Sequence, residues 1–454
     1  MQTKPIKLLT YNRLDVIFKI LYLKYLDLGA TKFSRDLYYS HIKNITNGLF
    51  VEHNSNKRTF DDFLFEFKKV SNSIKENGFD SEISKIPISK EGSIVNGAQR
   101  LASAIYYKAP FVSIKQTNES KHIYDYNFFR VRGMSNSLIQ LAILEFISLT
   151  KNNFLAIIWP SADKSIDYID EFSSIFYQKK ITLNANGAQN FVAQVYKEHK
   201  WLGDFSEGYS GAYTKVSQAF SSFSEIHLIF FKEESLEKVN KIKNSLRNKF
   251  NIDKASVHIT DNNNETYDLA KLVLNDNSIH FLNKAIPYKF QDLFNNLKKL
   301  RANLSSLNIS PDQLVISSDS ALSLFGLKNS KTLYVSTNNK ILLKEINKYN
   351  YLRLFEPLIN LEDSLYNPSN FFNYNDFKFQ ALQDVLKSKE KLKTESSKRE
   401  VILINKIISK NDSILIKLKN IYLKYKYSTV AFLIPFTKKI KVYSLAKWFY
   451  KKIN

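Results

Sequence analysis

Residues 86–106 read IPISKEGSIVNGAQRLASAIY. IPIS and SIV are short apolar runs on either side of Lys90-Glu91-Gly92, a turn signal, so the spacing predicts strand, turn, strand. Asn96-Gly97-Ala98-Gln99-Arg100 then leads into LASAIYY, whose apolar spacing predicts a helix. Small residues at Gly97 and Ala98, where a strand gives way to a helix, expose backbone N–H groups to an anion. Arg100 falls in the first helical turn, where its guanidinium can add a bidentate contact to phosphate. Asn96, Gly97, Ala98, Gln99 and Arg100 are the expected phosphate-binding residues. The plainer reading is a strand-to-helix turn with Arg100 on the surface.

This stretch resembles the phosphate- and nucleotide-binding loop of the ParB/sulfiredoxin fold, whose pattern is roughly D-G-x-H-R followed by a helix. Asn96 stands at the acidic position and Gln99 at the histidine. The likeness extends upstream to residues 60–80, FDDFLFEFKKVSNSIKENGFD, which look like the helix preceding that fold's first strand.

The chain has 454 residues, room for two or three domains. It contains no cysteine, which excludes disulfides, cysteine nucleophiles and thiolate metal sites. Seven scattered histidines show no metal-ligand spacing, so neither a metal site nor a cofactor is expected. No run of 18 apolar residues suggests a spanning helix, and MQTKPIKLLTYNR lacks the apolar core of a signal peptide, so a cytoplasmic location is expected. The net charge of +23 favours a polyanionic partner: nucleic acid, an anionic membrane surface or phosphorylated substrates. Part of that excess belongs to a Lys-rich composition that also favours Asn, Ile and Tyr.

Taken in order, residues 11–50 read as helical. Glu52, His53, Asn54 and Lys57 form a polar loop, either solvated or folded over the Arg100 site. PFVSIKQ reads as a strand, and KHIYDYNFFRVRGM as a strand edge with His122, Asp125 and Arg130 facing out. The character changes near Gly133, which places a domain boundary near residue 132.

Beyond it strands alternate with helices: NFLAIIWPSA strand, SIDYIDEFSSIFYQ helix, KKITLN strand, GAQNFVAQVYKEHKWLG helix and EIHLIFFK strand. ESLEKVNKIKNSLRNKF reads as a helix, KASVHIT as a strand, NETYDLAKLVLN as a helix and SIHFLN as a short strand or turn. Such alternation predicts an α/β domain with a mostly parallel sheet, where ligands bind beyond the carboxyl ends of strands. Trp159-Pro160-Ser161, Phe231-Lys232 and His258–Asp261 meet that rule. His258, Asp261 and Glu265 are the densest acid/base set and the expected catalytic residues, since a His beside a carboxylate can act as general base. Capping roles for Asp261 and Glu265 are the plainer alternative. Lys243 and Arg247, four apart on one helix, can reach a phosphate or form a solvated basic face.

A longer likeness runs over residues 12–283, through NGLFVEHN, ENGFDSEISKIPIS, NGAQRLASA, VYKEHKWLG and KIKNSLRNKFNIDKASVHITDNNNETYDLAKLVLNDNSIHFLN. These segments resemble a family of proteins from bacterial capsule and lipopolysaccharide gene clusters, whose members tend to carry His where Gln99 stands. The resemblance implies sugar or sugar-phosphate transfer in surface polysaccharide assembly.

Residues 311–337, PDQLVISSDSALSLFGLKNSKTLYVST, resemble the opening of a nucleotidyltransferase fold, with Asp319-Ser320 at the turn and Phe325-Gly326-Leu327-Lys328 ending the helix. That resemblance implies metal-binding acids near Thr332–Tyr334. KTLYVS has none, so a structural or docking role is expected. From Lys387 the chain is Lys-rich and helical by period, and KKIKVYSLAKWFYKKIN mixes lysine with interfacial aromatics, as segments lying on anionic membranes do. A helix packed on its own domain is the alternative.

The expected organisation is α/β. It comprises a ParB/sulfiredoxin-like domain at 1–131, a central α/β domain at 132–300, a degenerate nucleotidyltransferase-like domain at 301–386 and a basic region at 387–454. The expected function is a glycosyltransferase- or phosphoribosyltransferase-like activity at the inner face of the cytoplasmic membrane. Its donor is a phosphorylated or nucleotide-activated sugar and its acceptor a lipid-linked glycan. The alternatives are a ParB-like protein binding nucleotide and nucleic acid, against which stands the lack of a helix-turn-helix signature, and a non-catalytic scaffold.

Overall fold

Apolar residues crowd α1 (Leu14–Asp27) so densely that every side chain from Leu14 to Leu23 is buried. A helix apolar on all sides must be covered on all sides. Asp15 and Lys19 are therefore carried into the interior along with Leu, Ile and Phe. In the computed structural model the chain divides into two compact units, Met1–Asn153 and Phe154–Asn454. The structure describes residues 1–52, 55–82, 84–205, 208–221 and 223–409, with a few positions between 418 and 433. Most of the basic C-terminal segment, and the membrane expectation attached to it, lies outside the described residues.

In the first unit α2 (Thr31–Ile45) and α3 (Phe60–Asn77) pack against α1 through Tyr22, Tyr38, Ile42, Phe63 and Phe67. A reciprocal capping box between Thr59 and Asp62 starts α3, and Gly78 at φ 74° ends it. The small sheet runs β1 (Gln2–Thr3), β3 (Val112–Gln116), β2 (Ile86–Ile88), antiparallel then parallel, with α4 (Ala98–Tyr106) between β2 and β3. Residues 93–95, expected as a second strand, make only a single bridge from Ile94 to Ile88. The expected strand edge around Asp125 is instead a helix, α5 (Tyr126–Val131). The Asp125 carboxylate caps it, accepting from Phe128 N at 2.9 Å, and Phe129 is fully buried. Gly133, at φ 82°, turns α5 into α6 (Asn136–Leu149), inside the first unit.

The second unit carries two sheets. The first has the order β5 (Ile175–Ile181), β6 (Ile226–Lys232), β4 (Asn153–Ile158), β7 (Val257–Ile259). It is not mostly parallel: β5 pairs antiparallel with β6, and β7 antiparallel with β4. SIDYIDEFSSIFYQ, expected as a helix, has only the 3₁₀ turn Ile169–Glu171, and its last four residues, 175–178, are extended. Ile175, Phe176 and Tyr177 are β-branched or aromatic and open β5, with Phe176 and Tyr177 buried. That strand takes the residues of a crossover helix. Because β7 opposes β4, Trp159 and the His258–Asp261 turn do not share one sheet edge.

One face of this sheet presents Phe154, Ala156, Ile158, Phe231, Val257 and Ile259 to α9 (Leu236–Phe250). The other face looks toward α7 (Ala185–Val195) and α8 (Gly211–Ala219). After β7 come α10 (Asn263–Val273), α11 (Asp276–Lys284) and α12 (Gln291–Ser306). SIHFLN, expected as a strand or turn, lies in α11, whose cap Asn275 accepts from Ser278 N at 2.9 Å.

Strand, turn, helix, strand is the observed order over residues 311–337: β8 (Leu314–Ser317), α13 (Asp319–Leu324), β9 (Leu333–Thr337). After them follow α14 (Lys340–Glu345), β10 (Leu352–Leu354), α15 (Leu361–Tyr366), β11 (Phe371–Tyr374), β12 (Phe377–Gln380), α16 (Leu382–Leu392) and α17 (Glu395–Ile408). The second sheet has the order β10-β9-β8-β12-β11 and is mixed. The described residues thus form an α/β protein with seventeen α-helices and three sheets. Among them no helix is long and apolar enough to cross a membrane.

Candidate functional site

Alternation along β7 buries Val257 and Ile259 against α9 and turns His258 to the opposite face. There His258 Nε2 lies 3.0 Å from Glu265 Oε1. Glu265 stands in the first turn of α10, whose cap Asn262 accepts from Glu265 N at 2.9 Å. Its second oxygen, Oε2, accepts from Asp261 N at 2.7 Å, so the carboxylate is held at both ends. An ionised carboxylate only accepts, so Nε2 carries the hydrogen and Nδ1 is the basic nitrogen. Burial pulls the His258 pKa below its ordinary value, outweighing the pull of Glu265 the other way, and Lys243 and Lys215 add to the lowering. The imidazole is neutral near pH 7, the form a general base needs.

Asp261 does not join this pair through its side chain. Its exposed carboxylate is held by Lys243 Nζ at 2.7 Å. Lys243 and Arg247 therefore part company, since the positive charge of Arg247 acts on Tyr196 and Lys215.

Lys215, on α8, was not singled out in the sequence. It is 8% exposed, its Nζ donates to Lys254 O at 2.5 Å, and it lies over the rings of Trp159 and Tyr196 at 5.7 and 5.6 Å. Burial and then Arg247 push its pKa down to about 8. GAYTKVSQAF offers no local sign of this, because the burial comes from elements distant in sequence. Tyr196 follows α7, and its ring meets that of His258 edge-on at 5.2 Å. The neutral base and the buried ammonium thus lie on one face of the sheet, and the Arg247 guanidinium, carried by α9 on the other, adds its charge through Lys215 and Tyr196. Such a set can take a proton from a hydroxyl and stabilise a departing anion.

In the first unit Gly97 caps α4 at φ 87°, and a Cβ there would come 2.9 Å from Arg100 NH2, so the guanidinium folds back over the glycine. Asn96 Oδ1 accepts from Gly97 N at 2.6 Å. The half-buried Arg100 donates to Lys85 O at 3.2 Å and makes no ion pair among the described residues; burial alone lowers its pKa. A cation drawn from water without a carboxylate is what an anion site requires. Gln99 hydrogen-bonds Tyr38, and Ala98 opens the helix. Glu52 and Lys57 pair with each other at 2.6 Å; His53 lies outside the described residues.

At the β8–α13 turn, Asp319 meets Lys389 and, at 2.7 Å, Lys328. Glu400 of α17 meets the same two lysines at 2.8 and 2.6 Å. Two lysines balance these two acids, and among the described residues no three His, Asp or Glu are grouped to hold a metal ion.

Comparison with protein-family models, curated proteins and solved structures found no match to this chain.

Proposed function

We propose that the chain is a transferase of bacterial surface polysaccharide assembly. It moves a sugar from a phosphorylated or nucleotide-activated donor to a hydroxyl of a lipid-linked glycan. The observation that carries the reading is the neutral His258, fixed through Nε2 to Glu265, with the charge of Lys215 acting on it and that of Arg247 acting on Lys215. The acceptor O–H gives its proton to His258 Nδ1, and the oxygen's electron pair forms the bond to the anomeric carbon. The bond from that carbon to the donor's phosphate oxygen breaks, and its electron pair leaves with the phosphate. Arg247 and Lys215 meet the charge of that anion. The Arg100 loop is a second phosphate-binding site, and the 311–337 segment has a structural role. The tail, with ten lysines and no acid from Lys417 onward, serves to hold the protein at an anionic membrane.

The test is release of nucleoside phosphate from uridine- and cytidine-activated sugars by wild type, His258→Gln and Glu265→Gln. A loss of about 100-fold or more in His258→Gln, with an unchanged circular dichroism spectrum, is expected. Undiminished turnover in that variant removes the pair from catalysis.

A further inference from the structure

Trp201 is a large aromatic residue with 48% of its surface exposed, yet it is firmly held. It lies in the 3₁₀ turn Lys200–Leu202, anchored by the fully buried Leu202 and stopped by Gly203 at φ 80°. Gly211, the first residue of α8, packs against the Trp201 carbonyl so closely that no Cβ fits between them. The Tyr196 ring stands 5.1 Å from the Trp201 ring, and the His199 ring 6.1 Å. Tyr196 in turn meets His258 at 5.2 Å. Aromatic rings therefore run in a row from solvent to the proton-accepting pair.

A rigid exposed indole costs little entropy on binding and offers a broad apolar face. Beside it the same turn exposes polar groups on Glu198, His199 and Lys200. A pyranose ring has the complementary surface, a face of C–H groups edged by hydroxyls. A sugar held at the outer end of this row is one ring, that of Tyr196, away from His258, on the side of the pair where an acceptor is needed. We infer that Tyr196, His199 and Trp201 form the acceptor subsite and take a pyranose ring of the glycan. The inference rests on the transferase reading, but its test measures binding and needs no turnover.

Wild type, Trp201→Ala and Trp201→Phe are titrated calorimetrically with soluble hexose and N-acetylhexosamine oligosaccharides, and with uridine and cytidine monophosphates. Wild type is expected to bind at least one oligosaccharide. Trp201→Ala is expected to weaken that binding about tenfold or more, and Trp201→Phe to restore most of it, with melting temperatures unchanged. Oligosaccharide binding that Trp201→Ala leaves intact overturns the subsite. So does a wild type that binds no oligosaccharide at millimolar concentration, or a Trp201 effect confined to the nucleotides. A His258→Gln enzyme with full turnover instead overturns the catalytic reading and leaves the binding result standing.

Discussion

Arg13 grips Asp15 through two parallel hydrogen bonds, its Nε and NH2 each 2.8 Å from a carboxylate oxygen, with both side chains closed off from solvent. The third guanidinium nitrogen, NH1, donates to the carbonyl of Ile94, two residues before Asn96. Lys19 adds a hydrogen bond to the Asp15 carbonyl at 3.1 Å. Burial by itself raises the Asp15 pKa, but Arg13, with help from Lys19, outweighs it and holds the carboxyl at about 2. Asp15→Asn should cost about 3–5 kcal/mol in urea unfolding near pH 7, because it strands a buried guanidinium. An Arg13→Met, Asp15→Leu double variant should lose much less. The folded pKa is below the ordinary 3.8, so the contribution is complete above that value and fades as pH falls toward 2. A loss under about 1 kcal/mol for Asp15→Asn contradicts this account.

His41 tests the same core from the opposite side. Its ring is fully buried, stacked on Phe18 at 5.4 Å, and neither nitrogen has a hydrogen-bond partner. Burial, and after it the charge of Lys19, drives its pKa well below 6.5. Below pH 6.5 the unfolded chain takes up a proton that the folded one refuses, so stability is lost as pH falls. His41→Phe should be close to wild type at about pH 7.5 and gain on it by up to about 2 kcal/mol at about pH 5. Urea melts at the two pH values measure the difference. A gap between variant and wild type that does not widen with acid means that His41 protonates inside the fold.

Arg100→Ala should weaken binding of a phosphorylated ligand by about 1.5–3 kcal/mol while leaving stability nearly unchanged. Among the described residues the guanidinium has no carboxylate to strand, and its acceptor is the Lys85 carbonyl. Calorimetry with nucleotides, nucleotide sugars and phosphoribosyl diphosphate reads the effect. Equal affinities of variant and wild type for every ligand in the set remove this loop from phosphate recognition.

Lys389 is 5% exposed and lies between Asp319 and Glu400, with Lys328 on the other side of both acids. Burial opposes the charge on each acid, yet the two lysines keep both carboxyls below their usual range. Lys389→Met leaves the buried Glu400 and the partly buried Asp319 sharing one ammonium. It should cost about 3–5 kcal/mol and loosen α17 before the rest of its unit. Hydrogen exchange over residues 395–408 is the readout, and unchanged protection there contradicts a clamping role.

Local order was legible in the sequence where its causes lie within one turn of chain. Gly97 at the start of α4 and the helix Leu236–Phe250 stand where residue spacing put them, and residues 311–337 follow the strand, turn, helix, strand order that the resemblance implied. The sequence grouped His258 with both Asp261 and Glu265, and the fold pairs it with Glu265 while the Asp261 carboxylate goes to Lys243. Only the tertiary structure decided that residues 175–178 belong to a strand, because an amphipathic period fits a helix until another strand competes for the same backbone groups. It also decided the antiparallel placing of β7, and with it which side chains His258 faces. Lys215 and His41 look like surface residues in their own segments, and non-local packing alone makes them buried and shifts their protons. Helix caps and turns arise from contacts a few residues apart, whereas burial and strand direction are set by partners far along the chain, which a window of sequence does not contain.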